Sequence, residues 1–297
     1  MFFNKIKYFF SILISLIFIF VTIQNINFDS NHLRIDHVLE KKFLLSLYLI
    51  LFIPVHYLIS LKFCKLFLSF KKISIINSIK VNLIAYTYNL ILPAKAGDFL
   101  RFNFLGLKTN NQKKIFNFNL IEKLISFITI FFLIFLSVFL IDFEYIDFVI
   151  KVSQKFKLYL FIFFIIILFA LPFLIKKILV KISLNKLIPF NKLFFFDILI
   201  WCIIFFQILI AVEILDIKIN YFEIIFIFGI SIVAGLIPVS IGGFGVRDFV
   251  IFNLLSLNTP SHDIFLLLIF FNLRYLIPLF LGLIISLNYA KNQSKIR

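Results

Sequence analysis

The chain has 297 residues, of which 63% are hydrophobic and only 15% are charged. This composition is too apolar for a soluble domain of that size, and it excludes one. The formal net charge of +16 comes mostly from lysines in short segments between apolar stretches, a distribution typical of cytoplasmic loops in membrane proteins. We therefore expect no nucleic acid among its partners.

The apolar stretches are long enough to cross a membrane as helices, and they lack the period-two alternation of porin strands. The sequence predicts an all-α polytopic membrane protein with a single transmembrane domain over residues 1–297. About six full spans are predicted, near residues 8–24, 43–61, 116–141, 157–175, 195–213 and 262–288. No small-residue cleavage site follows the first apolar stretch, so it is predicted to be an uncleaved span rather than a signal peptide.

Two further apolar segments, at residues 76–105 and 222–256, are each interrupted by a proline and glycine motif. The first interruption runs from Pro93 to Gly97, and the second runs from Pro238 to Gly245. Four of the eight glycines of the chain lie in or just before the second interruption. Because glycine permits positive φ and proline breaks a helix, the backbone there is predicted to be non-helical at membrane depth. Such backbone must be buried in protein or line a wet cavity.

The lysines orient these segments in the membrane. Two connections each carry five lysines and no acid, so they should be cytoplasmic. The first is 62–80, which begins at Lys62, and the second is 176–192. Both interrupted segments must then start and finish on one side, which predicts two re-entrant or broken helices. Eight full spans, two of them kinked, are the alternative. Both topologies predict a multi-pass protein of the cell membrane with both termini in the cytoplasm.

The order of span, span, interrupted segment and span occurs twice, in mirror orientation. Residues 1–150 and 151–297 are therefore predicted to form the two halves of an inverted repeat. Interrupted hydrophobic segments at matching positions of such halves are the best sequence indication of a transporter binding site.

Polar residues cluster around both interruptions, although an ionised side chain at the bilayer centre costs about 2.5–3.5 kcal/mol on insertion scales. Internal pairing of Asp98 with Arg101, or of Arg247 with Asp248, would account for them. Alternatively, an arginine, a helix N-terminus and free backbone N–H groups would form a site for a phosphate or other anion. The candidate residues are Asn89, Pro93, Lys95, Gly97, Asp98, Arg101, Pro238, Ser240, Gly242, Gly243, Gly245, Arg247 and Asp248.

Two more charged candidates fall in full spans. Glu122 opens the third span and Arg274 lies inside the last one, so they occupy equivalent spans of the two halves. They would either pair across the interface or extend to opposite membrane surfaces. His56 is either a proton relay or a hydrogen-bonded structural residue. Cys64 and Cys202 are isolated, so no metal site is predicted, and no cofactor is expected.

Two strings in the sequence resemble a known family. The first is N-x-x-x-P-A-x-A-G-D-x-x-R from Asn89 to Arg101, and the second is P-x-S-x-G-G-x-G-x-R-D from Pro238 to Asp248. With Glu122 between them, they are similar to the lysylphosphatidylglycerol synthase transmembrane-region family, also called flippase-like domain proteins, over nearly the whole chain. The resemblance implies movement of aminoacylated, anionic or glycosylated polar lipids between leaflets.

Three positions depart from the pattern of that family. Lys95 and Lys123 stand where an arginine is frequent, and Ser126 stands where an acidic residue is common, which puts any precise charge relay in doubt. We expect no soluble aminoacyl-transfer domain after Arg297. The resemblance therefore implies the flipping region alone, and a separate lipid-modifying enzyme is a candidate partner.

A lipid translocase, with membrane lipids as partners, is the predicted function. A membrane-embedded glycosyl- or phosphotransferase with a polyprenyl-phosphate donor is the alternative, and it would need carboxylates at the membrane surface as a base or as metal ligands. Its candidates are Asp29, Asp36, Asp142 and Glu144, which form no convincing pair. A third interpretation is a non-transporting partner subunit of an envelope-lipid enzyme.

Overall fold

The structure is a computed structural model of the chain. It describes residues 15–18, 20, 21, 24, 35–68, 72–91, 97–105, 112–140, 190–236, 243–256 and 258–294. Every regular element within these ranges is an α-helix, so the predicted all-α class is confirmed.

Ten helices in the described ranges have defined bounds. They are α1 (Ile35–Glu40), α2 (Lys42–Ile50), α3 (Phe52–Phe67), α4 (Ile75–Ile91), α5 (Gly97–Phe104), α6 (Gln112–Leu140), α7 (Phe190–Ile214), α8 (Tyr221–Ala234), α9 (Val246–Leu255) and α10 (Ser261–Ser294).

Four stretches of the described residues are long and apolar enough to cross a membrane. They are Lys42–Phe67, Ile115–Val138, Asn191–Ile214 and Ser261–Asn288. These stretches match the second, third, fifth and sixth predicted spans, so the protein is a polytopic helical membrane protein. The first predicted span, 8–24, lies mostly outside the described residues, and the fourth, 157–175, lies wholly outside them.

The second span divides into α2 and α3 at Leu51. Pro54 has no backbone N–H and cannot donate to the carbonyl group of Ile50, four residues earlier, which explains the break. The helix then continues well past the predicted end of the span, and Lys62 lies inside it with 4% exposure. The predicted start of a connection at Lys62 is therefore wrong, because a lysine with a buried partner can remain inside a span.

Both interrupted segments form pairs of short helices, α4 with α5 and α8 with α9. The longest of the four has 17 residues, fewer than the roughly 20 that cross a bilayer. At the described end of the second interruption, Gly243 and Gly245 have φ angles of 85° and 80°, so the backbone there is non-helical as predicted. Five candidate residues in the interruptions lie outside the described residues, namely Pro93, Lys95, Pro238, Ser240 and Gly242.

The chain folds back between α4 and α5. A Cβ atom on Gly97, the first residue of α5, would lie 2.5 Å from the carbonyl oxygen of Ala85 and 2.6 Å from the backbone nitrogen of Asn89. A continuous helix would instead carry Gly97 away from both residues by about 1.5 Å per residue. In the second pair, a Cβ atom on Gly243 would lie 2.9 Å from the carbonyl oxygen of Gly235. These close approaches favour re-entrant helices over kinked full spans.

The first helix of each short pair packs on a long helix of the opposite predicted half. Helix α4 packs on α10, and helix α8 packs on α6. Glycines permit both approaches, since Gly282 of α10 lies against the backbone at Leu83 and Gly229 of α8 lies against Ile134. Small residues at helix interfaces let neighbouring helices approach closely in this way. The interrupted segments therefore lie where the two predicted halves meet.

Candidate functional site

The polar residues around the interruptions form two groups. The first cluster consists of Lys62, Asn82, Asn89, Asp98, Arg101, Asn119, Glu122, Lys123, Ser126 and Asp197. The second cluster consists of Phe244, Arg247, Asp248, Phe271, Asn272, Arg274 and Tyr275.

Arg101 is the centre of the first cluster and is 3% exposed. It forms a two-point ion pair with Glu122 of α6, with Nη1 donating to Oε1 at 3.2 Å and Nη2 donating to Oε2 at 2.5 Å. Nη1 also donates to Asn82 at 3.3 Å, and Nη2 donates to Asn119 at 2.9 Å. The guanidinium group lies 4.7 Å from the centre of the Phe63 ring. The planar guanidinium group of Arg101 is therefore neutralised and fixed in orientation.

Asp98 joins the first cluster from the first turn of α5. Its carboxylate forms an ion pair with Lys123 and lies 3.9 Å from Nη2 of Arg101, so the predicted contact at i, i+3 spacing is present. Asn89 binds Asp98 at two points, donating to Oδ1 at 2.9 Å and accepting from the backbone N–H at 3.2 Å. This reciprocal pair holds the start of α5 against α4.

A second buried ion pair lies beside Glu122. Lys62 of α3 donates to Asp197 of α7 at 2.6 Å and to Ser126 of α6 at 3.2 Å. Ser126 donates to the other carboxylate oxygen of Asp197 at 3.0 Å, which closes a triangle of contacts among three helices. At Ser126, where the resemblance would place an acidic residue, the negative charge comes instead from Asp197.

The first cluster is balanced in charge. Its three cations each pair with a different carboxylate, in the pairs Arg101 with Glu122, Lys62 with Asp197 and Lys123 with Asp98. Buried charges are tolerated when partners and hydrogen bonds offset the cost of leaving water. This arrangement is that of a structural network, with its charges already satisfied.

Arg247 is the centre of the second cluster and is also 3% exposed. Its Nε donates to the carbonyl oxygen of Gly243 at 3.1 Å. Its guanidinium carbon lies 3.9 Å from the ring centre of Tyr275, 5.0 Å from that of Phe244 and 5.5 Å from that of Phe271. Aromatic faces attract a cation but cannot neutralise it. Nη2 is buried and has no hydrogen-bond partner among the described residues.

Asp248 does not neutralise Arg247, although it follows it in the sequence. One carboxylate oxygen of Asp248 accepts from the backbone N–H of Gly245 at 3.0 Å and caps α9. The other oxygen accepts from the side-chain amide of Asn272 at 3.0 Å. The predicted pairing of Arg247 with Asp248 is therefore not the arrangement found within the described residues.

Arg274 shares the aromatic rings of Arg247. Its guanidinium carbon lies 5.5 Å from the ring centre of Phe271 and 5.7 Å from that of Tyr275. Nη1 is buried and lacks a hydrogen-bond partner in the described part of the chain. The predicted pair of Arg274 with Glu122 does not form, because both carboxylate oxygens of Glu122 bind Arg101. Glu122 is 7% exposed, so it does not extend to a membrane surface either.

Tyr86 of α4 is within electrostatic range of Arg101 in the first cluster and of Arg274 in the second cluster. The ring of His56 packs edge-on against it, with the ring centres 5.4 Å apart. Tyr86 is therefore near charged members of both clusters, and we call the two clusters together with Tyr86 the polar region.

The sequence does not predict most of the partners that come from other helices. Asp197 carries a usable signal, since an acid inside an apolar span requires a buried partner. Asn82 and Asn119, which are polar residues in apolar segments, carry a weaker signal of the same kind. Phe271 carries none, because 46 phenylalanines occur in the chain and nothing local distinguishes it.

Comparison with known proteins identifies the family to which the chain belongs. No curated protein matches the chain. The chain does match the family described as "Lysylphosphatidylglycerol synthase TM region" over residues 8–282, a range that includes both clusters. The matched region is a transmembrane region and not a catalytic domain. Because the match extends over much more than half of the chain, the protein belongs to the lysylphosphatidylglycerol synthase transmembrane-region family.

Proposed function

We propose that the protein moves polar lipids, of the aminoacylated, anionic or glycosylated kinds, between membrane leaflets. The observation that carries this proposal is the burial of charged residues of the polar region, among them Arg101, Glu122 and Arg247, inside an apolar bundle. The outer surface exposes large apolar side chains, with Phe43 76% and Leu287 69% exposed, as lipid contact requires. Ionisable residues at membrane depth are expensive and mark substrate or ion pathways. In this mechanism the headgroup crosses along the polar region while the acyl chains stay in the bilayer.

The packing of the interrupted segments supports a transporter architecture. If residues 1–150 and 151–297 are an inverted repeat, then α4 on α10 and α8 on α6 are equivalent contacts. In transporters of that kind the substrate site lies at the interface of the repeats, where discontinuous helices meet. We therefore include the inverted repeat, with α4–α5 and α8–α9 as re-entrant pairs, in the proposal.

The orientation of the protein is also part of the proposal. Only Lys71 and Lys72 lie between α3 and α4, and Lys65 and Lys80 lie in the adjoining helices. No acid accompanies these four lysines, so the charge asymmetry between the two sides persists. We place the protein in the cell membrane with both termini in the cytoplasm, and we retain a separate lipid-modifying enzyme as a candidate partner. Of the carboxylates that a transferase would use, Asp29, Asp142 and Glu144 lie outside the described residues, and so does the side chain of Asp36.

Leaflet-resolved lipid analysis of the purified protein in liposomes tests the proposal. The labelled lipids would be an anionic phospholipid, its aminoacylated form and a glycolipid with the same acyl chains. Arg247→Gln should abolish movement of the transported lipid, whereas Lys218→Gln, which removes one charge from an exposed loop, should preserve it. Movement no faster than in protein-free liposomes for every lipid would contradict the proposed function.

A further inference from the structure

The second cluster carries an unbalanced charge. It contains two guanidinium groups, Arg247 and Arg274, and one carboxylate, Asp248. That carboxylate is already bound by Gly245 and Asn272. The cluster is therefore left with one net positive charge inside the helix bundle, where an uncompensated charge is costly.

The two guanidinium groups also have unused donors. Nη2 of Arg247 and Nη1 of Arg274 are buried without a hydrogen-bond partner among the described residues. Both groups lie around the same two rings, Phe271 and Tyr275, so both sets of donors belong to one small region. Buried polar groups are normally hydrogen-bonded, so these unused donors call for a partner outside the described residues.

The backbone near Arg247 is shaped to hold this side chain. A Cβ atom on Gly235 would lie 2.5 Å from Cγ of Arg247, and one on Gly243 would lie 3.0 Å from its Nε. Gly243 has a φ of 85°, which side-chain-bearing residues rarely adopt. Two glycines therefore make room for the arginine and fix it at the start of α9, which makes this a built site.

We propose that Arg247 and Arg274 together bind the phosphodiester group of a lipid. Guanidinium groups present a planar fork of donors that matches phosphate oxygens, and a phosphodiester has two non-ester oxygens that can accept from both arginines at once. Its single negative charge also equals the net positive charge of the second cluster. The phosphate chemistry follows from the cluster itself, while the lipid as its source rests on the proposed function.

Equilibrium binding to the purified full chain in detergent tests this site without requiring movement. The probes would be phosphatidylglycerol, diacylglycerol and a free fatty acid with matched acyl chains, counted by native mass spectrometry, with inorganic phosphate as a competitor. We expect phosphatidylglycerol to bind about ten- to a hundredfold more tightly than diacylglycerol, as hydrogen bonds to charged groups predict. Equal binding of these two lipids, or of phosphatidylglycerol and the fatty acid, would overturn the phosphodiester assignment.

Single substitutions test whether the binding preference for phosphatidylglycerol depends on the second cluster. Arg247→Gln should remove the preference for phosphatidylglycerol, and Lys218→Gln should leave it unchanged. If Arg247→Gln does not yield folded protein, Arg274→Gln decides the matter, with an expected loss of about tenfold. A preference that survives in a folded Arg247→Gln or Arg274→Gln protein would place the phosphate elsewhere. Full displacement of the lipid by inorganic phosphate would overturn the lipid as the source.

Different results would refute the proposed lipid translocation and the proposed phosphodiester site. A phosphate preference in binding without any transbilayer movement would refute the translocase and leave the phosphodiester site intact. Protein-dependent movement of a polar lipid, together with equal binding of phosphatidylglycerol and diacylglycerol, would leave the translocase intact and refute the site.

Discussion

Arg101 and Arg247 belong to the two proline and glycine motifs of the sequence and are equally buried, at 3% exposure each. Their surroundings are opposite in kind. Arg101 meets the carboxylate of Glu122 and two side-chain amides, whereas Arg247 meets three aromatic rings and a backbone carbonyl group. One motif therefore has the charge of its arginine satisfied within the protein, and the arginine of the other has no carboxylate partner among the described residues. Similarity between two motif copies does not imply that they have the same role.

The difference comes from the long helices that follow each motif. Helix α6 presents Glu122 to Arg101, and helix α10 presents Phe271 and Tyr275 to Arg247. A carboxylate neutralises a buried guanidinium group, while aromatic rings stabilise its position without cancelling its charge. The character of the neighbouring helix, more than the motif itself, therefore decides what each arginine does.

Glu122→Gln should have the largest effect on stability. The change leaves Arg101 buried without its carboxylate, which should lower the free energy of unfolding by about 3–5 kcal/mol. Thermal or denaturant unfolding of the purified protein in detergent would measure the loss. Replacing both partners, with Arg101→Met and Glu122→Leu together, should recover most of it. A single variant within about 1 kcal/mol of the unsubstituted protein would show that this pair does not hold α5 against α6.

Gly97→Ala should have an intermediate effect. The new Cβ atom would lie 2.5 Å from the carbonyl oxygen of Ala85, so α5 must shift away from α4 and weaken the contacts between Asn89 and Asp98. Overpacking of this kind costs about 1–3 kcal/mol in stability, measurable by the same unfolding assay. Asn103→Ala, on the exposed face of α5, is the matched control and should change stability by no more than about 0.5 kcal/mol. Equal effects of the two substitutions would argue against the close fold-back of α5.

Arg247→Gln should have the smallest effect on stability, within about 1 kcal/mol, because the lost ring contacts are offset by removal of an uncompensated buried charge. Arg101→Gln, in contrast, would leave Glu122 unpaired and should cost about 3–5 kcal/mol. Parallel unfolding curves for these two variants provide the direct comparison of the motif copies. Losses of equal size would show that Arg247 also has a structural partner and would remove the distinction between the clusters.

Local features of the sequence were sufficient for much of the fold. Apolar length predicts the spans, and proline with glycine predicts the separation of α4 from α5 and of α8 from α9, because both effects act within a few residues. The ion pairs depend on distant parts of the chain, since Lys62 and Asp197 are 135 residues apart. A charge in an apolar segment indicates that a partner is needed but does not identify it. Lys62 was assigned to a loop because only the structure reveals that partner.

The triangle of Lys62, Ser126 and Asp197 has a consequence for motion. Any conformation that separates α3 from α7 must break a buried ion pair at a cost of about 3–5 kcal/mol, which makes it rarer by a factor of about 10²–10³ or more. If the protein moves lipids as proposed, a transport cycle in which α3 and α7 stay together is therefore favoured. The contact of α3 with α7 would then stay fixed while the helix pairs α4–α5 and α8–α9 move.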